Sequence, residues 1–358
     1  MNVIDYLLEY QKFTFKEESF NEIDALVLTA VSYFPFNGLK TKKDVLNTKQ
    51  LAALLDTYLL PVDAGERQIN YLKVLKIVTN SLRYKKAKFA YYSKVKSKAD
   101  SKQFQAITII LPEFVYLSFG GTDGTLTGWK EDFDMAYLDI VPSEIEAIKY
   151  ANAIAKKFFF RPFIFGGHSK GGRLAITAAK NFKKPHKLKA IYSYDAPNYS
   201  PNFYDEEYKK ISPLIHAYAP AESIIGRLMV IDKEKIIVAS SKSLLMQHDL
   251  FTWLINDGSF IREEQYSERS TRIVEGINEA FLNYDNNNKR AFVDALFALL
   301  EKLDIEVLPK ENEIISFIRH RFSLLRSCWK ETPKKERDTL VKIVFNIGKE
   351  FFLRRDKK

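Results

Sequence analysis

The chain has 358 residues, 46% of them hydrophobic and 14% aromatic, enough to bury a substantial core as one elaborated domain or as two. No apolar run approaches the ~20 residues of a membrane span, and Met1 to Tyr6 gives no basic lead into an apolar stretch, so a cytoplasmic protein is expected. The single cysteine, Cys328, excludes an internal disulfide framework. The net charge of +10 raises the question of polyanionic partners, yet the lysines crowded between Lys40 and Lys102 and the closing Arg354 to Lys358 come with neither a nucleic-acid motif nor zinc-ligand spacing. Solvated faces account for that charge first, and weak attraction to anionic membrane surfaces second, with no nucleic acid expected.

In chain order, the first hundred residues read mainly as helices. Asn21 can cap a helix with Ile23, Leu26, Val27, Ala30 and Val31 on one stripe, and Ile69 to Leu82 repeats that spacing. Strand character follows in Phe89 to Tyr92, Phe104 to Leu111 and Val115 to Phe119, with Pro112-Glu113 as a tight connection between the last two. Pro142-Ser143-Glu144-Ile145-Glu146 supplies a serine cap with an acid three residues on, opening a helix through Ile154 and Ala155. Further short strands are expected at Lys189 to Tyr194, Leu214 to Tyr218 and Lys235 to Ala239, alternating with helices as a largely parallel sheet requires. From about Glu263 the strand signal ends and helical patterns fill the rest of the chain.

The strongest local signal is Phe163-Ile164-Phe165-Gly166-Gly167-His168-Ser169-Lys170-Gly171-Gly172, an apolar strand breaking into Gly-x-Ser-x-Gly and continuing as a helix from Arg173 to Ala179. A strained strand-to-helix turn of this kind exposes the serine hydroxyl at the positive end of a helix, and the flanking glycines avoid Cβ collisions with neighbouring backbone. A phosphate-binding loop would need Gly-Lys-Ser/Thr after a longer glycine loop, an order this chain lacks. Ser169 is therefore the expected nucleophile.

Such a serine needs a base and, behind it, a carboxylate, in the chain order serine, acid, histidine. Among five histidines, His248 follows the last expected strand in Leu245-Met246-Gln247-His248-Asp249-Leu250, where a loop can return its ring to Ser169. Asp195, ending the strand before Ala196-Pro197, is the leading acid, and Glu222, one strand later, satisfies the same order rule; Asp232 and Asp249 stay open. The oxyanion needs two backbone donors. Lys170 supplies the first, and the strand-end loop Ser118 to Gly124, through Thr122, the second.

Phe119-Gly120-Gly121-Thr122-Asp123-Gly124-Thr125-Leu126-Thr127-Gly128-Trp129-Lys130-Glu131-Asp132-Phe133, the elbow, Met246-Gln247-His248-Asp249 and Trp253 together resemble the Mbeg-like family of bacterial domains of unknown function, itself similar to class 3 lipases of the α/β-hydrolase fold. The resemblance spans roughly residues 20 to 255 and the helical tail more loosely. It implies Ser169 as nucleophile, His248 as base, Thr122 and Lys170 as oxyanion donors, and a lid around Trp129. Two departures stand out: Gly120 replaces an arginine of the family, and Asp195-Ala196-Pro197-Asn198 replaces Asp-Gly-Pro-Gly. Class 3 lipases carry the acid close to the place of Glu222, so the resemblance leaves the choice of acid open.

The expectation is an α/β fold: a hydrolase-type, mostly parallel sheet flanked by helices, with N-terminal helices and a C-terminal helical extension, divided into residues 1–258 and 259–358. Its expected activity is hydrolysis of a small or lipid-like ester or acyl group through an acyl-enzyme on Ser169, His248 and Asp195, without metal or organic cofactor. The alternatives are a catalytically silent hydrolase-fold interaction protein and a phospholipase working at anionic membrane surfaces. Oligomeric state is open.

Overall fold

The computed structural model describes residues 1–302 apart from 40–43, 231 and 283, together with 334, 337, 338 and 341. Apart from those four residues, the expected helices beyond residue 302, with His320 and Cys328, lie outside the described residues. Two compact units are present: Met1–Val95, Phe104–Gly121 and Ser143–Ser270 form the first, and Lys96–Gln103, Thr122–Pro142 and Thr271–Lys358 the second.

The N-terminal helices begin on asparagine caps, whose short side chains satisfy the backbone N–H groups that the first turn leaves without carbonyl partners. Asn2, Asn21 and Asn47 open α1 (Val3–Tyr10), α2 (Glu22–Val31) and α3 (Thr48–Asp56), each with a reciprocal bond from the third helical residue, and α4 (Glu66–Asn80) starts after Gly65. Helix α2 departs from the single apolar stripe expected of it, because every residue from Ile23 to Val31 is buried. Sheet, α1 and α4 enclose it, so its one acid inside that run, Asp24, must be compensated. Arg83 donates to both carboxylate oxygens of Asp24 at 2.6 and 2.5 Å, and Tyr84 donates at 2.7 Å.

The sheet has eight strands in strict sequence order: β1 (Val45–Asn47), β2 (Lys88–Ser97), β3 (Lys102–Ile110), β4 (Val115–Phe119), β5 (Phe163–His168), β6 (Leu188–Tyr194), β7 (Ile215–Pro220) and β8 (Ile236–Val238). β1 pairs antiparallel with β2 and β3 with β4, whereas β4 through β8 run parallel. Crossovers must then carry the chain back between parallel strands. Up to β7 these are the helices α6 (Pro142–Lys157), α7 (Lys170–Lys180) and α8 (Glu206–Ile211), α5 (Leu126–Asp134) being the helix that precedes α6. Between β7 and β8 only a short 3-10 turn, Ile225–Arg227, intervenes among the described residues. This is an α/β fold of the hydrolase type.

Alternation along the strands builds two cores in the first unit. Tyr116, Ile164, Ala190 and Tyr194 face the N-terminal helices, and Val115, Leu117, Phe163, Phe165 and Ile191 face the helices that connect the parallel strands. In the second unit α5 and α10 (Asn286–Lys302) share a smaller core of Leu126, Phe292, Val293 and Phe297, and Lys130 bridges Asp134 and Asp294; α9 (Glu268–Leu282) precedes α10. The Trp129 segment implied as a lid is thus a helix packed within that unit, with Trp129 and Phe133 partly buried. Among the described residues no helix is long and apolar enough to cross a membrane.

Candidate active site

The turn after β5 is built by close backbone approach. A Cβ on Gly167 would lie 2.0 Å from the Gly171 carbonyl oxygen, and one on Gly171 would lie 2.2 Å from that of Phe119, so both positions exclude any side chain. Between them Ser169 takes φ +58° and ψ −133°, a strained conformation for a residue with a Cβ. Helix α7 begins at once on Lys170, three residues earlier than the apolar spacing suggests, and everything from Lys170 to Ala179 is buried. The Lys170 amide therefore stands in the first turn, where N–H groups and the helix dipole favour negative charge.

Ser169 and Asp195 follow neighbouring parallel strands. His168 pairs with Tyr194, the Ser169 amide donates to the Tyr194 carbonyl at 2.8 Å, and the Asp195 amide donates to that of Tyr218 at 2.8 Å. Asp195 also has positive φ, +46°, which turns its side chain off the strand line. Its carboxylate is buried and occupied on both oxygens: Ser223 Oγ donates to Oδ1 at 2.5 Å and His248 Nδ1 donates to Oδ2 at 2.6 Å. Burial alone would raise this carboxyl, but the hydrogen bond and charge of His248, the Ser223 hydroxyl and the Lys235 ammonium outweigh it, so it titrates below its usual range. Lys235 donates to the carbonyls of Ala196, at 2.5 Å, and of Gly226, joining the segments on either side of Asp195; burial pushes its own ammonium down to about 8.

The loop bearing His248 is pinned from three sides. Gln247 is buried, its amide oxygen accepting from the Glu222 N–H at 2.8 Å and its amide nitrogen donating to the Lys242 carbonyl at 2.7 Å. The fully buried Trp253 donates to the Gln247 carbonyl at 2.7 Å. Glu222 accepts from the Leu244 N–H at 2.7 Å, so the alternative acid caps this loop while Asp195 meets the histidine. Asp249 turns away to an ion pair with Arg67 at 2.9 Å, and Asp232 is exposed.

His168 adds a support that the motif alone did not reveal. Its Nε2 lies 2.8 Å from the His248 carbonyl, which can only accept, so Nε2 carries the proton and Nδ1 accepts from the Tyr33 hydroxyl at 2.8 Å. Burial first, and then the proximity of His248, hold its pKa well below the ordinary histidine value. The two imidazoles lie 4.6 Å apart between centroids. Ser169 Oγ, by contrast, makes no hydrogen bond to His248 among the described residues.

Thr122 belongs to the second unit, where its hydroxyl donates to Asp132 at 2.5 Å. Ser223, Gln247, Lys235 and Tyr33 were not found from sequence. Gln247 had a usable signal, standing directly before the histidine; the others are brought in by tertiary structure from unrelated parts of the chain. Among the described residues no cluster of His, Cys, Asp and Glu is gathered as metal ligands are.

The strand order and the connecting helices give the chain an α/β-hydrolase-type fold. The chain belongs to the Mbeg1-like family, whose sequence profile matches residues 78–298. No curated protein sequence matches it. Among solved structures it is similar to a propeptide complex of a deletion mutant of Rhizomucor miehei lipase, at 11% identity and a TM-score of 0.39 over 63% of this chain and 77% of that one. The Lip2 lipase of Yarrowia lipolytica is similar at 10% identity and a TM-score of 0.37, over 66% and 94% of the two chains. The lipase of Rhizopus microsporus var. chinensis follows at 17% and 0.33, over 65% and 87%.

Proposed function

We propose that the protein is a serine hydrolase that cleaves an ester or related acyl bond through an acyl-enzyme on Ser169. The observation that carries the reading is the joining of two features in one unit: a serine held at φ +58° at the head of α7, and a histidine whose Nδ1 is bound at 2.6 Å to a buried carboxylate ending the neighbouring strand.

The chemistry follows from that tautomer. With its Nδ1 proton committed to Asp195, His248 has Nε2 as its basic atom. Ser169 Oγ attacks the acyl carbon as its proton passes to His248, and the carbonyl electron pair moves onto oxygen. That oxyanion meets the Lys170 amide at the positive end of α7. Collapse restores the carbonyl, breaks the bond to the leaving alcohol and returns the proton to it from His248. Water, deprotonated by the same imidazole, then attacks the acyl carbon, the bond to Ser169 Oγ breaks as His248 returns the proton to that oxygen, and the acid leaves. The 2.6 Å contact with Asp195 supports the imidazolium at each transfer. No Ser169–His248 hydrogen bond is present, and such bonds commonly tighten only with substrate bound.

That open link also supports the second reading, a silent hydrolase scaffold that binds a partner. Rapid mixing with a nitrophenyl ester separates the two. A hydrolase gives a burst of nitrophenol and an acylated Ser169 peptide by mass spectrometry; a folded protein with neither burst nor acylation is a scaffold.

A further inference from the structure

The edge of the sheet opposite the elbow carries an unexplained surface. Between Ala147 and Tyr194 the chain contains eleven lysines and arginines and no aspartate or glutamate. Two loops from that run meet at the N-terminal ends of β5 and β6, where Lys184 Nζ sits 3.8 Å over the Phe159 ring and donates to the Ala155 carbonyl, and the Lys183 amide donates to Asn152.

Phe159 and Phe160 are 59% and 84% exposed there, with ring centroids 5.0 Å apart. Two adjacent phenylalanines facing water cost hydration free energy that a folded core would recover, and here the neighbours do bury: Phe158 packs on the core, and Arg161 donates to the Leu111 and Phe114 carbonyls. The turn is therefore held in shape with its two rings outward. Around them Lys156, Lys157, Lys183, Lys184 and Lys187 make no ion pair among the described residues. The nearest acids in sequence to these loops act elsewhere: Glu146 lies by Lys149, Asp195 meets His248 and Ser223, and Asp205 pairs with Lys180.

We propose that this edge docks onto an anionic lipid bilayer, with Phe159 and Phe160 inserted at headgroup level and the surrounding lysines facing the lipid phosphates. Aromatic rings flanked by unpaired cations match the two layers of such a surface, an apolar boundary beneath fixed negative charge. A flat acidic protein would satisfy the lysines and leave the rings in water. The parallel strands place Ser169 at their opposite ends, roughly 20 Å away along six residues of β5. Resting on the hydrolase reading, one consequence follows: the docked bilayer does not itself feed the serine, and the substrate arrives from the aqueous side.

Vesicle flotation of the full chain tests this, using phosphatidylcholine alone and phosphatidylcholine mixed with phosphatidylserine. Binding to the mixed vesicles only, weakened by salt, is expected to fall about tenfold or more in Lys183→Glu/Lys184→Glu/Lys187→Glu and in Phe159→Ser/Phe160→Ser. With Cys328→Ser as background, a polarity-sensitive dye on Phe160→Cys shifts to the blue on vesicles, whereas one on Leu245→Cys, at the elbow end, does not. No binding to mixed vesicles, binding unchanged in both variants, or a shift at residue 245 in place of 160 overturns the proposal. The readout is independent of turnover, so Ser169→Ala binds as wild type even if no ester is ever cleaved.

Discussion

Asp195 is the residue on which the local electrostatics converge. Replacing it with asparagine keeps the shape but reverses the hydrogen-bonding demand on His248 Nδ1, so kcat is expected to fall roughly 10³- to 10⁴-fold with little change in KM, measured on a nitrophenyl ester. Its depressed carboxyl also ties stability to acid: the unfolded chain takes up this proton near pH 3.9, the folded one only lower. The stabilisation is complete above about pH 4 and fades as pH falls through the folded value, and chemical denaturation of Asp195→Asn lacks that part of the acid limb. Lys235 runs in the opposite sense. Its folded pKa of about 8 against roughly 10.4 unfolded means that burying the ammonium destabilises the fold fully below pH 8 and is relieved as pH rises. Wild type should therefore gain stability relative to Lys235→Met between about pH 8 and about pH 10, by on the order of 1 kcal/mol. The meeting of His248 with Asp195 was legible because both follow strands in the order that elbow chemistry requires. Ser223 and Lys235 were not, because a serine after Glu222 and a lysine at a strand start carry no local mark of a buried partner many residues away.

At the level of elements, the site depends on backbones that approach too closely for side chains. Gly167→Ala would press a methyl group to 2.0 Å from the Gly171 carbonyl, and neither strand nor helix can yield; a loss of about 3 kcal/mol or more in urea denaturation is expected. Gly226→Ala acts differently, since its Cβ would meet Asp195 Oδ1 at 2.2 Å, and there the side chain can move. That variant should fold yet lose at least tenfold in kcat as the acid is pushed off His248, which a pH profile would register as a shifted acidic limb. The parallel strands, the connecting helix and the Asn21 cap were readable from periodicity and capping, but that helix opens on Pro142 and holds Ser143, the expected cap, inside its first turn. The short elements α1, β1 and α3 were not, because runs of three to nine residues hold too few turns or alternations for a period to emerge. The stripe assigned to α2 was too narrow for a helix covered on all sides.

Across the whole molecule, the N-terminal helices are one of the two faces of the first unit and not an appendage. Tyr194 and Tyr218 reach from the sheet to the Glu22 carbonyl at 2.6 Å and carboxylate at 2.7 Å, and the Tyr116 hydroxyl donates to the Ala25 carbonyl at 2.8 Å. Removing residues 1–38 should therefore abolish cooperative unfolding of the entire unit, seen as loss of the near-ultraviolet circular dichroism. The basic charge shows the same dependence on tertiary structure. In sequence the lysines looked diffuse, whereas the fold brings two loops of an acid-free run together at one end of the sheet around two exposed phenylalanines. The central claim is that Ser169 is activated by His248. It is tested most directly by labelling the purified protein with a fluorophosphonate beside Ser169→Ala and His248→Ala: the account predicts labelling of the wild type on Ser169 and its loss in both variants. A folded wild-type protein that does not label, or a His248→Ala variant that labels equally fast, would contradict it.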